Sequence, residues 1–464
     1  MHRNRRNGRP QAGARVAVLL ALGLAAAAPA TAAAQTPRVA LPWAASDATT
    51  HVIRGAVDRT TLSLAASYAA DLDLNVRTGA LTGTVTIDLE NVSGAAIDRV
   101  ELNTVMGPLG DLRLGSVTVD GTETAAILRD QTVLVPLGGV LPPRATTRLA
   151  LAITATVPRA TAGSSWLFSR SNGVFSLYRW LPWVSRETPF DRPNHGDPFV
   201  TPVAARAEVT IRTSAPLRFA GTGTITASAE GRTHTIVATD VRDVVLTAAA
   251  DYRWRDERVG NVTIRVATRA GSALPAAALA AAARRALTRM EALVGPYPYP
   301  TLTIAQSSGG FGMEGPGVVW IPPGVDASNL TYLVTHEVAH QWFYGIVGND
   351  QAREPFADEA AADFLARYVL GLRRGSRCAA DDLDGTIDAY TSKCYYETVY
   401  IAGGNLIEAA RKRIGDAAFW PALRTYVEEH RFAVSSTQAL LDALDSATPD
   451  DLRSVWRAQF PRFY

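Results

Sequence analysis

Cysteine is nearly absent from this 464-residue chain, which has only Cys378 and Cys394. They lack C-x-x-C spacing, so they do not read as a thiolate metal pair. In an exported protein, two cysteines this close most simply form one disulfide, with two buried thiols as the alternative. An excess of charge of one sign is missing as well. The 46 Lys and Arg against 44 Asp and Glu leave +2, and no basic patch marks a nucleic-acid surface. Beyond the N-terminus no run is apolar enough to cross a bilayer. Internal repeats and low-complexity tails are also lacking. What remains is 47% apolar and 19% charged, a globular composition, and too long for one compact domain.

The first 34 residues carry five Arg and no acid. A basic stretch runs to Arg15, an apolar stretch follows from Val16 to about Ala28, and Ala32 and Ala34 give an A-x-A pattern. This reads as a secretory signal over residues 1–34, cut after Ala34 and implying a periplasmic or secreted protein. An uncleaved anchor is the alternative. Once the segment is removed, 41 basic and 44 acidic residues remain, a net −3.

Residues 35–60 read as a leader. From 61 to 252, β-branched, roughly alternating runs such as "GTVTIDLENVSG", "RLALAITATV" and "AEVTIRTS" end in turn residues, which predicts a largely antiparallel β domain. The character changes over 253–464. "PAAALAAAARRALTRMEALV" is helical, with Pro275 at its start and Gly295 past its end. "TLTIAQ" and "GVVWI" are short strands around a glycine-rich loop, and after Asn329 nearly everything is helical. The fold class is therefore α+β multidomain: an antiparallel β-sandwich or saddle, then a mainly helical domain with a small mixed sheet.

Histidine is scarce, seven residues in all, yet His336 and His340 lie four apart in "THEVAHQWFYG". About one helical turn separates them, so both imidazoles project from one face. Two neutral imidazoles on a rigid face suit zinc, and Glu337 beside them can reach a water there. Eighteen residues separate His340 from Glu359, which lies on a second helical pattern. Gly345, Gly348 and Pro355 interrupt the chain between, letting the second helix fold back on the first. Two His and one Glu leave a fourth zinc position open, as catalysis requires, and one zinc per chain is expected. Asp363, one turn beyond Glu359, is a candidate acceptor for the other ring N–H of a zinc histidine, or else a surface acid.

These residues carry a resemblance. "VTHEVAHQWFYGIVGND" through "FADEAAADF" is similar to the zinc signature of the M1 family of zinc aminopeptidases, within the gluzincins. "GGFGMEGPGVVW" resembles that family's G-x-M-E-N exopeptidase loop, with Gly312, Met313 and Glu314 matching, and "ETVYIAGGNLIEAARKRIG" resembles the segment bearing its catalytic tyrosine, here Tyr400. Gly315 stands where the family usually has Asn, and Glu359 to Tyr400 is a short 41 residues. The resemblance implies a thermolysin-like catalytic domain and a short form without the large helical C-terminal domain.

Together with the signal segment, it further implies a secreted zinc metallopeptidase that releases N-terminal residues from peptides. In that reading His336, His340 and Glu359 hold the zinc, Glu337 is the general base on a zinc-bound water, and Tyr400 donates to the oxyanion. Glu314, with Gly312 and Met313 beside it, pairs with the free α-ammonium of the substrate. The partners are then peptides or proteins with a free N-terminus, with no nucleic acid and no stable membrane association after signal removal. The competing readings are a zinc endopeptidase of the same fold and a non-catalytic peptide-binding protein on that fold.

Overall fold

The computed structural model describes residues 51–159, 162–187, 198–378 and 382–464. The expected signal segment and most of the leader lie outside them.

The strand Leu64–Leu74 buries Leu64, Ala66, Tyr68, Ala70, Leu72 and Leu74 and turns the residues between them outward, the period of a half-buried strand. It pairs antiparallel with Ala80–Asn91 and parallel with Ala204–Thr213 inside an eight-stranded sheet. The N-terminal part is thus largely antiparallel, with a parallel pair at the middle of its largest sheet. Two four-stranded sheets complete it, and the inward faces of all three share a core that includes Leu72, Ile87, Val135, Phe175 and Trp180.

The last strand of these sheets is Leu246–Ala249. A separate five-stranded mixed sheet opens at Tyr252. Its order is Tyr252–Val259, Val262–Arg269, Thr301–Gln306, Val318–Ile321 and Met313–Gly315. The short strand Met313–Gly315 is therefore an edge, running antiparallel to its one neighbour.

Pro275 precedes the helix Ala276–Val294 and Gly295 follows it at φ 109°, a conformation glycine adopts readily. Leu279, Ala283, Leu287, Met290 and Val294 form its buried stripe. Each fully buried side chain of the Leu or Met type contributes about 1.5–3 kcal/mol. The stripe packs with Val334, Val338 and Trp342 in the second core. The helices Leu330–Ala339, Ala361–Leu370, Gly403–Ile414, Asp416–Glu429 and Thr437–Asp445 enclose that core. Among the described residues no helix is long and apolar enough to cross a membrane.

Candidate active site

The helix Leu330–Ala339 presents His336 within its last turn and His340 as its cap. Glu359 sits in a wide helical turn, Phe356–Ala360, which runs on into Ala361–Leu370. That turn has i→i+5 bonding, a wider winding that recurs at functional sites. The three side chains meet. His336 Nε2 and His340 Nε2 are 3.1 Å apart, and Glu359 Oε2 lies 3.3 Å from the first and 3.2 Å from the second.

Whether these residues suit zinc can be tested on that triangle. Ligands at about 2.0–2.1 Å in a tetrahedron stand about 3.3–3.4 Å from one another. The three observed edges are close to this. The donor set, two imidazole nitrogens and a carboxylate, is one zinc accepts. Glu359 Oε2 is buried with no hydrogen-bond donor, as a free ligand atom would be. His340 Nδ1 is occupied by Asp358 Oδ1 at 2.6 Å, which leaves Nε2 facing the triangle. The residues fit the ion.

Four buried carboxyl groups, Glu314, Glu337, Asp358 and Glu359, crowd these two imidazoles. Burial pushes Glu337 well above the usual carboxylate range, and its acidic neighbours push the same way against His340. Burial alone would lower His340, yet Asp358, Glu314 and Glu359 together raise it well above an ordinary histidine. Glu359, despite burial, is held low by the two histidines. The pocket carries an excess of negative charge that a divalent cation would offset.

Glu314 lies on the edge strand Met313–Gly315 and is buried. One oxygen of Glu314, one of Glu337 and a ring nitrogen of His340 fall within 4.8 Å of one another. Gln341, the residue after His340, fixes this spacing. Its side chain accepts from Gly317 N at 2.9 Å and donates to Gly315 O at 3.0 Å, tying the edge strand to the histidine helix. Gly312 backs directly onto Glu337, because a Cβ there would stand 2.3 Å from Glu337 Oε1. The departure at Gly315 also has a physical reason. A Cβ at that position would meet Val245 and Val318 at 2.8 Å, so no asparagine fits under the N-terminal part of this chain. Met313 is buried against Trp166, Trp320 and Val318.

Tyr400 lies in a second wide turn, Tyr396–Ala402. Its ring stacks on His336 with centroids 5.4 Å apart, and its hydroxyl donates to Glu359 Oε1 at 2.5 Å. Tyr332, Tyr395 and Tyr396 also line the cavity, and it is the Tyr400 hydroxyl that bonds Glu359. Asp363 does not meet a histidine. It pairs with Arg367 at 2.6 Å and accepts from Tyr332 Oη, while His336 Nδ1 is buried without a hydrogen-bond partner. The carboxylate on a histidine ring is instead Asp358. Its sequence signal was slight, an acid directly before Glu359.

Gln351 had no signal at all. Its Nε2 donates to Glu314 Oε1 at 3.2 Å and to Asp358 Oδ2, and its Oε1 accepts from the buried Arg179 at 3.1 Å. One amide thus joins the carboxylate of the edge strand, the partner of His340 and an arginine of the N-terminal part. Cys378 and Cys394 form the disulfide, with Cα atoms 5.7 Å apart, and Cys394 sits just ahead of the Tyr400 turn. A cavity of about 1030 Å³ opens over these groups, lined also by Trp166, Phe311, Tyr332 and Arg374.

The family model of the peptidase family M1 domain matches residues 295–459, which contain the histidine pair, Glu359, Glu314 and Tyr400. The chain carries an M1 peptidase domain. Aminopeptidase N of Lactobacillus delbrueckii subsp. lactis is 27% identical over 193 residues, covering 33% of this chain and 22% of that protein. The chain thus matches only about a fifth of that relative's length. An M1 zinc metallopeptidase of Deinococcus radiodurans superimposes with a TM-score of 0.65 at 21% identity, over 86% of this chain and 93% of that one. A mutant of that enzyme bound to a Tyr-Ser-Ala substrate gives 0.64 at 20% identity, over 86% and 94%. These likenesses show that the M1 domain and the β part before it share one two-domain fold.

Proposed function

We propose that this chain is an exported zinc aminopeptidase that releases N-terminal residues from peptides. The observation that carries the reading is the position of Glu314. A buried carboxylate stands beside Glu337 and His340 in the lining of the cavity, where it can pair with a free α-ammonium and set the scissile bond one residue away. The solved relative with a Tyr-Ser-Ala substrate supports a peptide as the ligand class. Export rests on the N-terminal pattern of residues 1–34.

His336, His340 and Glu359 would hold one zinc ion, which when bound supplies Lewis acidity to the scissile carbonyl and the attacking water. Glu337 takes the proton of that water and passes it to the leaving amine. Asp358 holds His340 in the tautomer that presents Nε2. Burial and Glu359 keep the Tyr400 hydroxyl protonated, so it can donate to the oxygen that gains charge, exchanging its bond to Glu359 as it does so. The free side of the edge strand Met313–Gly315 offers backbone groups to an extended peptide.

The test is a pair of peptides of one sequence, one with a free and one with an acetylated N-terminus. The free peptide should be cut one residue from its end and the blocked one left intact. Glu314→Ala should lower kcat/KM on the free peptide by roughly tenfold or more, the loss of a charge-assisted contact. Equal cleavage of both peptides would favour an endopeptidase and remove the anchor role.

A further inference from the structure

The cavity is lined by the carboxyl groups of Glu314, Glu337 and Glu359 and by one cation. Arg374 is the only Arg or Lys among the described residues that line it. Its guanidinium lies 4.6 Å from the centre of the Tyr332 ring and donates through Nη1 to Tyr396 Oη. No carboxylate pairs with it among the described residues. Asp363, which faces the same region, is already held by Arg367 and Tyr332. A half-buried guanidinium braced by two tyrosines keeps donors for one planar, bidentate acceptor, and a carboxylate has that shape.

Its place along the cavity follows from the rings. Glu314 and Glu337 flank His340. Tyr332, one turn before His336 on the same helix, stacks on it at 5.9 Å, and the Arg374 guanidinium lies 4.6 Å from the Tyr332 ring. These spacings put Arg374 within roughly 10 Å of His336, a span of about three extended residues, part of which the guanidinium–carboxylate contact itself takes up. A peptide anchored by its ammonium at Glu314 and cut over the histidines therefore delivers a group one or two residues past the cut to Arg374.

We propose that Arg374 is a carboxylate-recognising subsite, which makes short peptides ending one or two residues beyond the scissile bond the favoured substrates. The proposal rests on the aminopeptidase reading above. The carboxylate has two possible sources, the C-terminus of a tripeptide or an acidic side chain at that position.

The experiment compares Leu-Ala-Ala with a free C-terminus, its C-terminal amide, and Leu-Ala-Glu amide. The acid should exceed its amide in kcat/KM by roughly ten- to hundredfold, the range for a hydrogen bond to a charged group. Arg374→Gln should bring that ratio close to one, and Arg374→Lys should restore part of it. A fast Leu-Ala-Glu amide assigns the site to side-chain carboxylates as well, and a slow one to the terminal carboxylate alone. Calorimetry of the same peptides on zinc-loaded Glu337→Gln protein supplies a binding readout, in which the acid should bind more tightly than the amide. Equal kcat/KM and equal Kd for acid and amide on protein with native Arg374 overturn the proposal, whatever the variants do. N-terminal release from both peptides at one rate would sink Arg374 and leave the aminopeptidase standing. Tighter binding of the acid with no N-terminal release would do the reverse.

Discussion

Replacing Gly312 by alanine tests whether Glu337 is the base without touching Glu337. The added Cβ would stand 2.3 Å from Glu337 Oε1, 2.9 Å from its Cδ and 2.6 Å from Leu333 Cδ1. Ordinary contact begins near 3.4 Å, so the carboxylate must retreat by about 1 Å. Both obstructing groups are ends of flexible side chains, and the clash is relieved by turning them rather than by moving backbone. The stability loss should therefore stay at the low end for overpacking, about 1 kcal/mol. Function should suffer more. A misplacement of about 1 Å at a reacting group lowers the rate roughly 100-fold, or about 2.7 kcal/mol of barrier. The assay is kcat and KM on an aminoacyl chromogenic amide, with zinc content and Tm measured on the same sample. The expected pattern is a fall in kcat of roughly 100-fold, full zinc and a small shift in Tm. A variant with native kcat would refute the assignment of Glu337. Lost zinc would refute the argument that the clash spares the ligand triangle.

Other outcomes follow from the same geometry. Glu337→Gln should keep about one zinc per chain and lose turnover; retained activity would move the base elsewhere. Asp358→Ala should weaken zinc binding roughly 10- to 100-fold, as removal of a histidine's carboxylate partner does, whereas Asp363→Asn should lower Tm with less effect on zinc, and chelator competition distinguishes the two. Reducing the Cys378–Cys394 bond, or replacing both residues by Ser, should lower stability by roughly 3 kcal/mol in the chain-entropy model and depress turnover more than zinc content. Unchanged melting and unchanged rate in the double Ser protein would show that the bond does not steady the Tyr400 turn.

Much of the site was legible because its chemistry is encoded locally. His336 and His340 share a face at a spacing that any helix imposes, and Pro275 and Gly295 bound their helix by backbone preference alone. Cys378 and Cys394, as the sole pair, left one possible bridge. The partner of His340 was beyond such reasoning. Helical spacing put Asp363 on the face of Glu359, but the chain enters that helix through the wide turn Phe356–Ala360, which presents Asp358 to His340, and Arg367 captures Asp363 one turn on. Gln351 and Arg374 act through contacts with residues distant in sequence, or across a cavity, and neither stands in a pattern of its own. The sequence by itself therefore determined which groups could bind and activate a metal, since that depends on residue type and on helix period. Only the tertiary structure decided which carboxylate orients which imidazole, where the cavity ends and which cation faces it, because those are set by how separate elements pack.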